Sequence, residues 1–256
     1  MWYFVEKGQG RPLVLLHGIG MSHQAWQPVM DVLAAHRRVI AFDVAGFGRS
    51  PLLANGTAPT MVNLAIQLGN VLKELAINEP VDIAGNSMGG WIALEAARLG
   101  LARSVVAISP AGLWQTRPLH AKYVFFGLRR MAHLFPSLTK HSLKIGLLRE
   151  LMMAVPLSIG GRHIPAETAL ALTMDFVTAE GFEQTFAHTT RFVNGQDIQC
   201  PVTIAFGTHD WLLTKDCRQT QELPKHFRWL EPQGWGHVPM WKDPQGVAEL
   251  ILQGSA

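Results

Sequence analysis

Short apolar runs alternate with longer amphipathic stretches along most of the chain, which is the pattern of a largely parallel sheet covered by helices. The runs LVLL (13–16), RVIAF (38–42), VDIA (81–84), SVVAIS (104–109), VTIAF (202–206) and FRWL (227–230) are predicted strands, and WYFV (2–5) an edge strand. Several are apolar at consecutive positions, as strands buried on both faces must be. Between them the apolar spacing widens to a helical period near 24–36, 61–76, 88–99 and 244–253. No internal repeat or low-complexity segment interrupts this order.

The rhythm fails between about Gly112 and Gln199, where the sequence gives helices separated by breaks at Pro136, Pro156 and Gly160-Gly161. A structureless loop of that length does not suit a compact domain. In the first of these helices Val124, Phe125, Leu128, Met131 and Phe135 share one face, and Lys122, Arg129 and His133 another. The expected organisation is an α/β core from 1–111 and 200–256 with a helical lid, 112–199, inserted into it.

Composition changes this picture little. A chain of 256 residues, 48% of them hydrophobic, is long enough for one large core. A formal charge of +3 is too small to point to nucleic acid, and no nucleic-acid motif accompanies it. Cys200 and Cys217 have neither metal-ligand nor redox spacing, so neither a disulfide framework nor a metal site is expected. No apolar run approaches the roughly 20 residues needed to cross a bilayer. MWYFVEKGQGRP lacks the features of a secretory signal. The expectation is a cytoplasmic protein.

The sharpest chemical signal is VDIAGNSMGGWIALEAA, in which a strand runs into Gly85-Asn86-Ser87-Met88-Gly89 and then into a helix. This is G-x-S-x-G in a strand–turn–helix setting, where a strained turn lifts the serine hydroxyl off the strand end. A serine nucleophile needs a base, and the base an orienting acid. Asp210 follows the strand VTIAF in Gly207-Thr208-His209-Asp210, and His237 follows FRWL in Gly234-Trp235-Gly236-His237-Val238. Each alone reads better as an ordinary residue, Asp210 as a turn or helix cap and His237 as a surface loop histidine. Together they follow Ser87 in the order serine, acid, histidine, each after its own strand. His17-Gly18-Ile19-Gly20 follows the strand LVLL, so the backbone N–H groups of Ile19 and Met88 are the candidate oxyanion donors. His17 is read as a brace for its turn, His23 as part of a solvated helix start, and His209 as pointing away from the site.

HGIG (17–20), DVAGFGRS (43–50), GNSMGG, GTHD and GWGHVPMWKDP (234–244) together resemble the α/β-hydrolase superfamily from about residue 8 onward. The resemblance implies a Ser–His–Asp mechanism with an acyl-enzyme and no cofactor. It implies a structural role for Asp43, Gly46 and Gly48. A serine nucleophile argues against the haloalkane dehalogenases and epoxide hydrolases of that superfamily, which attack with aspartate.

The reading is a serine carboxylesterase acting on small to medium acyl esters. Phe125, Phe126, Leu128, Met131, Phe135, Leu147, Leu151, Met152 and Met153 of the lid are the apolar candidates for its pocket, with Val238 beside His237. Trp114, Trp211, Trp235 and Trp241 flank the loops and are candidates for the pocket wall. Residues 112–162 carry eight Lys or Arg against the single acid Glu150. Such a surface suits an acidic carrier protein or an anionic membrane face, or is simply a solvated helix face. The first alternative is similar to the carrier-protein methyl ester esterase of biotin synthesis. A second enzyme reading is carbon–carbon bond hydrolysis of meta-cleavage products, which GNSMGG and Trp241 resemble, although Ile19-Gly20-Met21 departs from that group's Gly-Pro-Gly loop. A receptor on a hydrolase fold is a reading of another class, against which the intact set of three residues argues.

Overall fold

The computed structural model describes residues 1–54, 56–157 and 160–256, without the side chains of 155–157. Among the described residues seven strands form one sheet: β1 (Phe4–Lys7), β2 (Pro12–Leu16), β3 (Arg38–Phe42), β4 (Val81–Asn86), β5 (Ala102–Ile108), β6 (Val202–Ala205) and β7 (Arg228–Leu230). Their order across it is β1-β3-β2-β4-β5-β6-β7. Only β1 runs antiparallel, pairing Phe4 with Phe42 and Lys7 with Val39; β2 to β7 are parallel. The edge strand begins two residues later than its apolar run because Trp2 leaves the ladder to pack edge-on against Phe42, 6.0 Å between ring centroids.

The inner parallel strands, β2 to β6, are almost wholly buried because helices cover both faces, whereas β7 at the edge is not. α2 (Met61–Glu74) and α3 (Met88–Arg98) lie on one side, where Leu64, Leu68 and Ile92 meet Val14, Ile83 and Val105. α1 (Gln27–Ala34) and α9 (Pro244–Gly254) lie on the other, where Val29, Leu33, Val247 and Ile251 meet Leu13, Leu15 and Val106. Polar caps set two of these starts: Thr60 accepts from the Asn63 amide, and Asp243 from that of Gly246.

Between β5 and β6 the described residues hold no strand. Among the described residues of this interval there are five helices: α4 (Leu119–Leu134), α5 (Pro136–Lys144), α6 (Gly146–Leu157), α7 (Ala166–Thr178) and α8 (Phe182–Ala187). The break at Pro136 is realised as the first residue of α5, and that at Gly160 as a left-handed residue, φ 103°, before a short turn. No break occurs at Pro156: α6 continues through it to Leu157. α4 ends at Leu134, so Phe135 caps it and is half exposed instead of sharing the inward face. Arg129 also departs from its expected polar face: its guanidinium lies 4.5 Å above the Phe182 ring and donates to the Phe176 carbonyl. A long stem lets a cation turn under its own helix.

Chain order reverses between β2 and β4, since β3 lies to one side of β2 and β4 and β5 to the other. Open parallel sheets hold their ligands outside the strand ends at such a point. The loops after β2, β4, β6 and β7 all leave by that edge.

Candidate active site

Ser87 sits between β4 and α3 with φ 54° and ψ −114°, a conformation costly for any residue with a Cβ. Its backbone is held from several directions. The Ser87 amide donates to the Ile108 carbonyl at 2.9 Å, and its carbonyl accepts from Trp91 at 3.1 Å and Ala111 at 3.0 Å. The turn closes only around glycine. A Cβ on Gly85 would lie 2.2 Å from the Gly89 carbonyl oxygen, and one on Gly89 2.1 Å from that of Leu16. Helix α3 directs its positive end at this residue.

The β6 and β7 loops bring the acid and the imidazole together. His237 Nδ1 lies 2.9 Å from Asp210 Oδ2, and both residues are buried. The other carboxylate oxygen accepts from the amides of Leu212 at 3.1 Å and Leu213 at 2.9 Å. Burial alone would raise the Asp210 carboxyl, but the facing His237 and the Leu213 amide outweigh it and hold it below its ordinary value. Gly207 lets the two loops touch, since a Cβ there would lie 2.2 Å from the Trp235 carbonyl oxygen, which also accepts from His209. The His209 ring turns to its own neighbour, Thr208, at the surface.

The loop after β2 packs against the serine. A Cβ on Gly18 would contact Ser87 Cβ at 3.4 Å, and Ile19 lines the same space as Ser87. His17 fixes the loop from below: its Nδ1 meets the Gly18 carbonyl at 2.7 Å and its Nε2 accepts from the Val44 amide at 2.9 Å. Those bonds require the neutral ring, and burial holds its pKa below the ordinary 6.5. Next to it Asp43 accepts from the His23 amide and ring and from the Arg49 amide. His23 is thereby held by Asp43 and is not simply solvated. A Cβ on Gly48, at φ +55°, would strike the Asp43 carboxylate at 2.3 Å.

Two cavities meet at Ser87. The larger, about 150 Å³, has Asn86, Ser87, His237 and Val238 in its floor and Phe125, Leu128, Met152, Leu172 and Phe176 in its roof and walls. The smaller, about 40 Å³, lies between Met88, Trp91, Trp114, Arg117 and Leu213. Phe125 and Ile19 border both.

Of the pocket residues expected from the sequence, Phe125, Leu128, Met152 and Val238 face the larger cavity and Trp114 the smaller. Trp211 does not: it is over half exposed and lines neither, because Asp210 turns the chain so that Leu212 and Leu213 point inward instead. Leu147 and Leu151 also face outward. Trp235 is buried and donates to Asp243 at 2.8 Å, and Trp241 packs on the core beside α9, so neither forms the wall.

Some lining residues had no such signal. Leu172, Thr173 and Phe176 come from α7, whose apolar periodicity looks like any packed helix. Asn86 sits inside the serine motif but carried no role of its own. It is fully buried, donates to the carbonyls of His237 at 2.8 Å and Ile108 at 3.1 Å, and lines the larger cavity. Its Oδ1 has no hydrogen-bond partner among the described residues.

The chain resembles known proteins at several levels. Over 152 residues it is 33% identical to a 2-hydroxy-6-oxo-6-(2'-aminophenyl)hexa-2,4-dienoic acid hydrolase of Metapseudomonas resinovorans, covering 56% of this chain and 51% of that one. Over 90 residues it is 40% identical to a pimeloyl-[acyl-carrier protein] methyl ester esterase of Aeromonas salmonicida, covering 35% and 33%. The chain thus spans about half the length of the first relative and a third of the second's. A solved esterase of Thermogutta terrifontis superposes with a TM-score of 0.73 over 98% of this chain and 92% of its own, at 20% identity, a likeness of fold. Residues 13–250 match the family model described as the alpha/beta hydrolase family. With its sheet order, its serine elbow after β4 and this match over nearly its whole length, the chain belongs to the alpha/beta hydrolase family.

Proposed function

We propose that this protein is a serine carboxylesterase for esters with an apolar acyl group. The observation that carries the reading is Ser87 on a strained elbow, opening onto the same apolar cavity as His237, whose other ring nitrogen meets the buried Asp210 at 2.9 Å. His237 takes the Ser87 proton as the hydroxyl attacks the ester carbonyl. Asp210 holds the imidazole tautomer and stabilises the imidazolium. The Ile19 and Met88 amides receive the negative oxygen of the tetrahedral intermediate. His237 then protonates the leaving alcohol and activates the water that releases the acid from Ser87.

The cavities suggest how an ester lies. The larger takes the longer, apolar group, and the smaller holds the shorter one beside Trp114. The described lining of the larger cavity carries no Lys or Arg to receive a carboxylate. Arg117, in the smaller, is already engaged with the Phe186 carbonyl at 2.9 Å and the Thr189 hydroxyl at 3.0 Å. That favours a neutral ester over a dienoic acid of the kind named for the Metapseudomonas relative.

The test is hydrolysis of p-nitrophenyl esters of increasing acyl length by wild type and Ser87→Ala. Turnover peaking at short or medium chains, reduced about 10⁶-fold in the variant, is expected. A folded wild type inactive on every ester but active on a ring-cleavage dienoic acid would overturn the reading in favour of carbon–carbon bond hydrolysis.

A further inference from the structure

The helices above the cavity expose large apolar side chains on the face turned away from it. Of seventeen exposed large apolar residues among the described ones, ten lie between Leu119 and Leu151. Tyr123 is 73% exposed, Leu147 72% and Leu119 67%. The distribution is ordered. On α4, Leu119, Tyr123, Arg130 and Leu134 fall on one stripe, and Ala121, Phe125 and Leu128 on the opposite, inward one. An ordinary surface helix shows charged and polar residues where this stripe lies. α5 and α6 repeat the arrangement, with Leu138 outward against Leu143 inward, and Leu147 and Leu151 outward against Met153 inward.

Cations are interleaved with these side chains. Lys122, Arg130, Lys140 and Lys144 are exposed on α4 and α5. The one acid of this stretch, Glu150, is taken up by the amides of Gly160 at 3.0 Å and Arg162 at 2.6 Å. The outward field is therefore positive.

We propose that the outer face of α4, α5 and α6 docks on an anionic lipid surface, presenting the cavity mouth, where Met131 is both lining and exposed, to substrate held there. A headgroup layer takes both components, apolar side chains entering its acyl boundary and cations meeting its anions. A hydrophilic acidic protein satisfies only the cations. A second copy of this chain sets like charges face to face. The inference does not depend on the reaction at Ser87.

The experiment is co-sedimentation of the 256-residue protein with phosphatidylcholine vesicles, with and without phosphatidylglycerol, at low and high salt. Binding to the anionic vesicles is expected, with a roughly tenfold or greater loss in Lys140→Glu/Lys144→Glu. A comparable loss is expected in Leu119→Ser/Tyr123→Ser/Leu147→Ser. Thermal melts and cleavage of a short soluble ester stay at wild-type values, because none of these residues lines the cavities. Failure to pellet at low salt overturns the proposal. So does salt-sensitive binding to acyl carrier protein that the lysine variant loses and the serine variant keeps. A concentration-dependent dimer dispersed by the serine variant overturns it in favour of self-association.

Discussion

At the scale of single residues, the site depends on groups held in states they would not adopt alone. Ser87 keeps a positive φ because three backbone hydrogen bonds and two glycines leave no other path for the chain. Strain of this kind costs about 1–3 kcal/mol. Ser87→Gly is therefore expected to melt above Ser87→Ala, with both inactive; equal melting temperatures would mean that the elbow is not strained. His17 is held neutral by burial between the Gly18 carbonyl and the Val44 amide, with its pKa below 6.5. Its unfolded form takes up a proton first as pH falls. Its contribution is thus fully present above pH 6.5 and is lost as pH drops from there toward the lowered folded value. The slope reaches about 1.4 kcal/mol per pH unit. Urea denaturation across this window is expected to show that loss, and His17→Gln to flatten it. Asp43 and Asp210, held below their ordinary 3.8, lose their contributions only as pH falls beneath that value, so their loss sets in at lower pH than that of His17.

At the scale of elements, the helical segment is fixed to the core by close backbone approach. Gly46, in the loop after β3, and Gly181, before α8, meet so closely that a Cβ on either would lie under 3 Å from the other's Cα. The Gly181 amide donates to the Gly46 carbonyl at 2.8 Å. Gly181→Ala is expected to cost about 1–3 kcal/mol by overpacking. Because α8 carries Phe182, which packs against Phe125, Phe126 and Phe176, ester turnover falls with it. A variant of unchanged stability and activity would show that this contact is dispensable. The strands were legible here because burial on both faces leaves consecutive apolar residues. The helices between β5 and β6 were legible only in outline. An apolar periodicity shows that a helix is amphipathic, but not whether its apolar stripe meets core, cavity or solvent; α4 and α7 face the cavity while Leu147 and Leu151 face out.

At the scale of the whole molecule, the end of the sheet away from the site is tied by one buried acid. Asp82 on β4 accepts from Arg11 at 3.0 Å, Arg103 at 2.9 Å and Ser104 at 2.7 Å. Arg11 and Arg103 also hold the Ser255 carbonyl, each at 2.7 Å. Strands β2, β4 and β5 and the end of α9 thus share one network. Asp82→Asn is expected to cost about 1–3 kcal/mol, the exposed arginines recovering part of the loss from water. The urea midpoint is expected to move while acyl-chain preference stays fixed; a shifted preference would mean that the network reaches the cavity. The sequence by itself determined the strands of a mostly parallel sheet, the strand–turn–helix at the serine and the three candidate residues. Each of these rests on local signals: runs of apolar residues, glycines where no Cβ fits, and polar residues at strand ends. Only the tertiary structure decided that Trp211 turns outward, that α7 walls the cavity, that Asn86 ties the His237 loop to β4, and that the outer helices are apolar. These follow from which surfaces meet across long sequence separations, and the periodicity of a single segment carries no record of its partner.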